Sequence, residues 1–403
     1  MKSSANPRGG AATEATSLLR QALGLHQAGR LGEAETLYRR ALGRDGSLAD
    51  GHHLLGLALH QQGRSLEGLA AIGRALERAP LSPTYHLSQG ATLAALGQIP
   101  DALRAFRRVL ALRPADALAF RNLATASLDA PEAALASARR SVGLERRDAT
   151  AWTALAHAAR KLGRDDELRS ACRAALALDA NQAEARFLLE GLKGAPARPP
   201  PAYVRELFDK FAPHFDRDLE RLDYQTPQAL ARLVETHLKP AQESLAVLDL
   251  GCGTGLAGVA LAPLARRMVG LDLSPAMLAE ARNRRLYAEL IEADLVAHRF
   301  RERFDLAIAA DVLNYLGDLA PAFAAIDAAL APQGALAFSI EALAEGGPYR
   351  LSPDLRYAHA PNAVRALGEA QGWSTLAQEP STLRRQGKEP VAGVLFLFRK
   401  SQS

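Results

Sequence analysis

The sequence predicts a multidomain chain: an all-α array of stacked helix pairs, then an α/β domain wound around a largely parallel sheet. Three observations carry this. Residue types in the first half recur with a period of 34. A Pro-rich stretch at 195–201 separates the halves. Beyond it, short apolar runs each end in an acid, and the first leads into Gly251, Gly253 and Gly255.

In the first half, Ala34, Tyr38 and Ala41 recur as Gly68, Ile72 and Ala75, then as Ala102, Phe106 and Val109. Gly29, Gly63 and Gly97 mark turns between helices, and Pro80 and Pro114 close two repeats. A fourth repeat is shortened around Asp129-Ala130-Pro131; a fifth resumes the phase at Trp152, Leu155, Gly163, Leu168, Cys172 and Ala175. Small residues at fixed positions let two helices approach, and large ones fill the space opposite. The pattern is similar to the tetratricopeptide repeat, with about five copies over 13–180 and a capping helix at Ala183–Leu192. Residues 1–12 are expected to be disordered and 13–194 to form the repeat domain. Such arrays present a concave face suited to a protein partner. Bracing of the second domain, or self-association, is the competing use. Cys172 falls at a core phase and reads as a small buried hydrophobe.

The second half turns on Ser244 to Leu256. The run Leu245–Leu250 reads as a buried parallel strand, and the glycines that follow as a turn where backbone approaches a ligand. A dinucleotide fingerprint would need its third glycine at 256, which is Leu. The carboxylate of Asp249 favours a cationic nucleoside sulfonium over a pyrophosphate. Asp272 closes a second apolar run 23 residues later, placed for ribose hydroxyls, and Asp294 closes a third after 22 more. Any one of these acids also suits a helix N-cap.

Together, Val247 to Gly255, Gly270 to Leu278, Glu292 to Leu295 and Phe304 to Leu316 resemble a class I S-adenosylmethionine-dependent methyltransferase, over roughly 203–400. The resemblance implies a Rossmann-like, seven-stranded sheet within 202–403. It also implies roles: Gly251, Gly253 and Gly255 admit the cofactor, Asp249 lies near its methionine amino group, and Asp272 holds the ribose. Asp294 and Leu295 meet the adenine, and Leu273, Met277 and Asp311 complete the cofactor set.

Phe208, Phe211 and Phe215 share one helix face, which reads either as a lid or as packing on the sheet. Thr226 is placed to N-cap the next helix. A loop over 349–359, after the fifth strand, is placed for substrate. Candidate substrate contacts are Tyr203, Phe215, Tyr224, Asn314, Arg356, Tyr357 and Arg384. His359 and Glu341 are candidate bases, and Arg356 with Arg384 suggests a clamp on an acidic acceptor. The acceptor class, small molecule or protein, is open. So is a rival function: a repeat scaffold whose second domain binds cofactor and transfers nothing. Asp272, at a strand's end, is expected to contribute little to folding, and 195–201 reads as a semi-rigid spacer.

Composition bounds the rest. Net charge is +5, and the first 194 residues carry 26 Lys and Arg against 19 Asp and Glu. These charges are dispersed and lack interleaved aromatics, which argues against nucleic acid. No apolar run reaches the roughly 20 residues of a membrane span, and the N-terminus lacks a signal-peptide core. Two separated cysteines make neither a disulfide framework nor a metal site, so a cytoplasmic setting is expected.

Overall fold

The computed structural model describes residues 7–192, 194, 196–352, 354–386 and 389–401. The chain forms two compact units, one ending at Ala185 and one beginning at Arg186.

The first unit is built of consecutive helix pairs: α1 (Pro7–Gln27) with α2 (Leu31–Arg44), α3 (Ala49–Gln61) with α4 (Ser65–Arg78), α5 (Pro83–Ala95) with α6 (Ile99–Leu112), α7 (Ala117–Ala126) with α8 (Pro131–Leu144), and α9 (Ala149–Lys161) with α10 (Asp165–Leu178). The predicted five-pair array is therefore present. Its small-against-large packing is explicit. A Cβ on Gly56 would lie 2.7 Å from the Ile72 side chain, and one on Gly90 2.5 Å from the Phe106 ring. Tyr38, Ile72 and Phe106 are fully buried at equivalent positions. The shortened repeat is the one with the short helix α7. The Cys172 thiol is buried, which pushes its pKa up to about 12.

Two boundaries differ from expectation. Residues 1–6 lie outside the described residues, but α1 starts at Pro7, inside the stretch expected to be disordered. Proline is well suited to a first helical turn. The units also part within α11 (Ala183–Gly191), before Gly194. Phe187 belongs to the second unit and packs on its Tyr203, ring centroids 5.3 Å apart.

In the second unit, α12 (Pro201–Phe211), α13 (Phe215–Arg221) and α14 (Thr226–Leu238) precede the sheet. Then follow β1 (Leu245–Leu250), α15 (Leu256–Leu261), β2 (Ala265–Asp272), α16 (Pro275–Asn283), β3 (Glu289–Glu292), β4 (Phe304–Ala309), α17 (Ala320–Ala329) and β5 (Leu330–Ala342). The chain ends with β6 (Tyr349–Leu351), β7 (Tyr357–His359), α18 (Pro361–Ala370), β8 (Trp373–Gln386) and β9 (Glu389–Lys400).

The predicted seven strands run β3-β2-β1-β4-β5-β9-β8, with β9 antiparallel to β5 and to β8. The segment expected to be a loop at 349–359 instead contains the hairpin β6–β7, which extends the carboxyl end of β5. Strand residues alternate between two apolar layers. Leu306, Ile308, Ala335 and Ala337 face a layer with Leu230, Leu233 and Leu261, whereas Phe304, Ala307, Leu336 and Phe338 face Phe323, Trp373 and Phe398. Strand order reverses between β1 and β4, and the crevice beyond their carboxyl ends is where such sheets bind ligands.

Thr226 is not the cap of α14. It lies inside the first turn, and its buried hydroxyl donates to the Leu383 carbonyl at 3.1 Å. A tertiary carbonyl takes the hydroxyl in place of the local backbone donors it would have capped.

Candidate functional site

A cavity of about 310 Å³ opens at that crevice. Its floor is the turn after β1. Gly251, Gly253 and Gly255 all adopt positive φ, 59°, 54° and 94°. Their surroundings differ. A Cβ on Gly251 would lie 2.6 Å from Val312, and one on Gly255 3.0 Å from Arg284, while one on Gly253 would meet only Phe215 at 3.7 Å. Gly253 thus keeps open room toward the cavity. Gly255 does not line it; its smallness accommodates Arg284 and Tyr287.

Two carboxylates stand behind this turn. Asp249 is 1% exposed, and its Oδ2 accepts a hydrogen bond from the Tyr287 hydroxyl at 2.6 Å. Burial pushes its pKa up to about 7, the Tyr287 bond opposing and nearby Asp272 adding. Asp272 accepts from Gly253 N through Oδ2 and from Ser274 N through Oδ1, both at 2.8 Å. Burial raises its pKa as well. The expectation that Asp272 matters little to folding is therefore corrected: it ties the glycine turn to the start of α16. Farther along the rim, Asp294 accepts from Val296 N at 2.9 Å and pairs with Arg198 at 3.0 Å.

Helices α12 and α13 form a wall. Phe208, Phe211, Phe215, Leu219 and Leu222 line the cavity. Two acids fasten this wall to the turns below. Asp209 accepts from the Ser274 hydroxyl at 2.5 Å, and Asp216 from the Thr254 hydroxyl at 2.5 Å and from Arg284. Of the two sequence readings, the phenylalanine face meets cavity and not sheet.

The opposite end is polar and charge-balanced. Arg356 donates to Glu341 at 2.5 Å, to the Tyr315 hydroxyl at 2.7 Å and to Asp311 at 3.2 Å. Arg384 donates to Glu341 at 2.7 Å and to Asp311 at 3.3 Å. Burial alone would raise the Glu341 carboxyl, but the two guanidiniums outweigh it and hold it below the usual range. Tyr224 also lines this end; burial and then the Asp311 charge push its phenol well above the ordinary value.

The model of a methyltransferase domain matches residues 247–334, the stretch holding the glycine turn and all three strand-end acids. That of a tetratricopeptide repeat matches residues 149–182. The chain joins tetratricopeptide repeats to a methyltransferase domain. Trans-aconitate 2-methyltransferase of Escherichia fergusonii is 35% identical over 123 residues, 28% of this chain and 49% of that protein. The 18S rRNA (guanine-N(7))-methyltransferase of Bos taurus is 38% identical over 79 residues, 20% of this chain and 28% of that protein. The chain spans about half the length of such curated relatives, or less. A solved 1,6-didemethyltoxoflavin-N1-methyltransferase of Burkholderia thailandensis is 21% identical with a TM-score of 0.41, covering 51% of this chain and 92% of that one.

Within the methyltransferase domain, the cavity gathers Asp249, Gly251, Gly253, Asp272, Leu273, Asp294, Leu295, Asp311, Phe215, Tyr224, Arg356 and Arg384. The other candidates stand elsewhere. Met277 is fully buried in α16. Tyr203 is buried against Phe187. Tyr357 is buried, with its hydroxyl on the Pro196 carbonyl. Asn314 is buried, donating to Asp311 and accepting from Glu341 N.

Neither candidate base reaches the cavity. His359 is 2% exposed, its Nε2 faces the Leu316 and Gly317 carbonyls, and burial lowers its pKa. Glu341 does not line the cavity and is held ionised between two arginines. Asp311, expected at the cofactor, faces those arginines too.

Sequence reasoning missed Tyr287, Tyr315 and Arg198. Tyr315 directly follows Asn314 in a motif already singled out. Tyr287 opens the third apolar run and Arg198 lies in the Pro-rich stretch, but neither position carries a site signal, and only the fold brings them to Asp249 and Asp294.

Proposed function

We propose that this domain transfers a methyl group from S-adenosylmethionine to a small acceptor that carries no net negative charge. The observation that carries the reading is Asp249. It is a buried carboxylate at the glycine turn held by neutral groups, the Tyr287 phenol and the Gly258 backbone, so a ligand cation would complete it. Asp249 would face the ammonium of the methionine moiety, Asp272 the ribose, and Asp294 with Leu295 the base. When bound, the cofactor supplies a methyl already activated on sulfonium. The chain's own work is alignment and exclusion of water, through the fastened phenylalanine wall.

The acceptor end supports the second half of the reading. Arg356 and Arg384 do not form a free clamp, because Asp311 and Glu341 neutralise them. An incoming carboxylate would have to displace an internal one. Tyr224 and Tyr315 offer hydroxyls beside an apolar wall, and the Tyr224 phenol, its pKa raised by burial, donates hydrogen bonds but does not take a proton. The acceptor atom is accordingly one that is nucleophilic without a base. Trans-aconitate, named for the relatives, is a polycarboxylate, and we expect neither turnover nor competition by it in an assay for S-adenosylhomocysteine formation. Turnover of trans-aconitate would overturn this acceptor class. We read the repeat unit as a docking surface for a protein partner.

Calorimetry with S-adenosylhomocysteine tests the cofactor reading. Binding should tighten about tenfold between pH 6 and pH 8, as Asp249 ionises near pH 7. The linkage sign for the free domain is opposite. A folded pKa raised from 3.8 to about 7 contributes stability that is complete below 3.8 and is lost as pH rises through about 7. Asp249→Asn should flatten both dependences. Heat with NAD and none with S-adenosylhomocysteine would sink the assignment.

A further inference from the structure

We infer that residues 196–200 are part of the cofactor site and that Arg198 is a positioning residue for Asp294. The inference rests on the cofactor reading above. A spacer between domains needs no anchors, yet this segment has several. The Ala197 carbonyl accepts from Gly317 N at 2.8 Å and Asp318 N at 2.9 Å, and the Pro196 carbonyl accepts from the Tyr357 hydroxyl at 2.8 Å. A Cβ on residue 317 would lie 2.9 Å from the Pro196 carbonyl oxygen and 2.7 Å from the Tyr349 and Tyr357 rings, so glycine there makes room for the docked segment. Proline-rich chain loses little entropy when held in one conformation.

Docked in this way, Arg198 and Pro199 line the cavity together with Asp294. The Arg198 guanidinium holds Asp294 Oδ2 at 3.0 Å, while Oδ1 accepts from Val296 N at 2.9 Å. With both oxygens engaged, the carboxylate has one orientation. A carboxylate fixed in this way accepts from the exocyclic amine of adenine and repels the oxo group that replaces it in hypoxanthine. Arg198 therefore contributes to the choice of base through Asp294.

The test uses the full chain. S-adenosylhomocysteine and S-inosylhomocysteine are titrated by calorimetry into wild type, Arg198→Ala, Arg198→Lys and Tyr357→Phe, with folding checked by circular dichroism. Arg198→Ala should bind the adenosine compound about fivefold more weakly, the upper range for a partly exposed pair. The inosine compound should change less, so the ratio of the two affinities shrinks. Arg198→Lys should recover part of that ratio, and Tyr357→Phe, which frees the segment at Pro196, should shift it in the same direction as Arg198→Ala. Equal weakening of both compounds, or an unchanged ratio, overturns the role of Arg198 and leaves the cofactor reading standing. A wild type that binds neither compound overturns both.

Discussion

Arg356→Ala should lower the stability of the methyltransferase domain by about 3 kcal/mol, the low end of the roughly 3–5 kcal/mol lost when one partner of a buried pair is removed. The low end applies because Arg356, Glu341, Asp311 and Arg384 are 12–14% exposed, and water at the cavity can relieve part of the imbalance. The wild-type cluster has two guanidiniums for two carboxylates. The variant leaves Arg384 alone between Glu341 and Asp311, and leaves the Tyr315 hydroxyl without its guanidinium. Removing Glu341 as well should restore part of the loss, since the remaining pair is balanced. Urea unfolding of the single and double variants measures this. A midpoint unchanged in Arg356→Ala would mean that the cluster is solvated, and the argument for an acceptor without net negative charge would fall with it.

Asp272→Ala should weaken S-adenosylhomocysteine binding by about 2–4 kcal/mol, from roughly 1.5–3 per charge-assisted hydrogen bond without additivity. It should also destabilise the fold by about 1–2 kcal/mol, because Gly253 N and Ser274 N lose their acceptor. Asp272→Glu should not be mild: the two backbone donors are set for the shorter side chain. Asp272→Asn keeps the size but turns an NH₂ toward one of those donors, so it too should lose affinity and stability. Calorimetry and urea melts on the same samples separate the effects. Unchanged affinity in a folded Asp272→Ala would remove the ribose role, and an unchanged midpoint would remove the bracing of the turn.

What the sequence determined by itself is what short-range chemistry encodes. A period of 34 with small residues facing Tyr38, Ile72 and Phe106 specifies stacked helix pairs, since side-chain volume at fixed spacing is a local property. Apolar runs closed by Asp249, Asp272 and Asp294 specify strands whose ends converge on one crevice, and the glycines between them specify the turn. Only the tertiary structure decided the fate of side chains whose partners lie far along the chain. Arg356 and Arg384 read as a free clamp until β5 and the segment after β4 bring Glu341 and Asp311 against them. His359 and Thr226 read as a base and a cap until the carbonyls of Leu316 and of Leu383 in β8 claim them. The stretch before α12 read as a spacer until Gly317, Tyr357 and Asp294 held it. The reason is the same in each case. A hydrogen-bonding group takes the best acceptor or donor that folding delivers, and sequence spacing carries no record of partners contributed by remote segments.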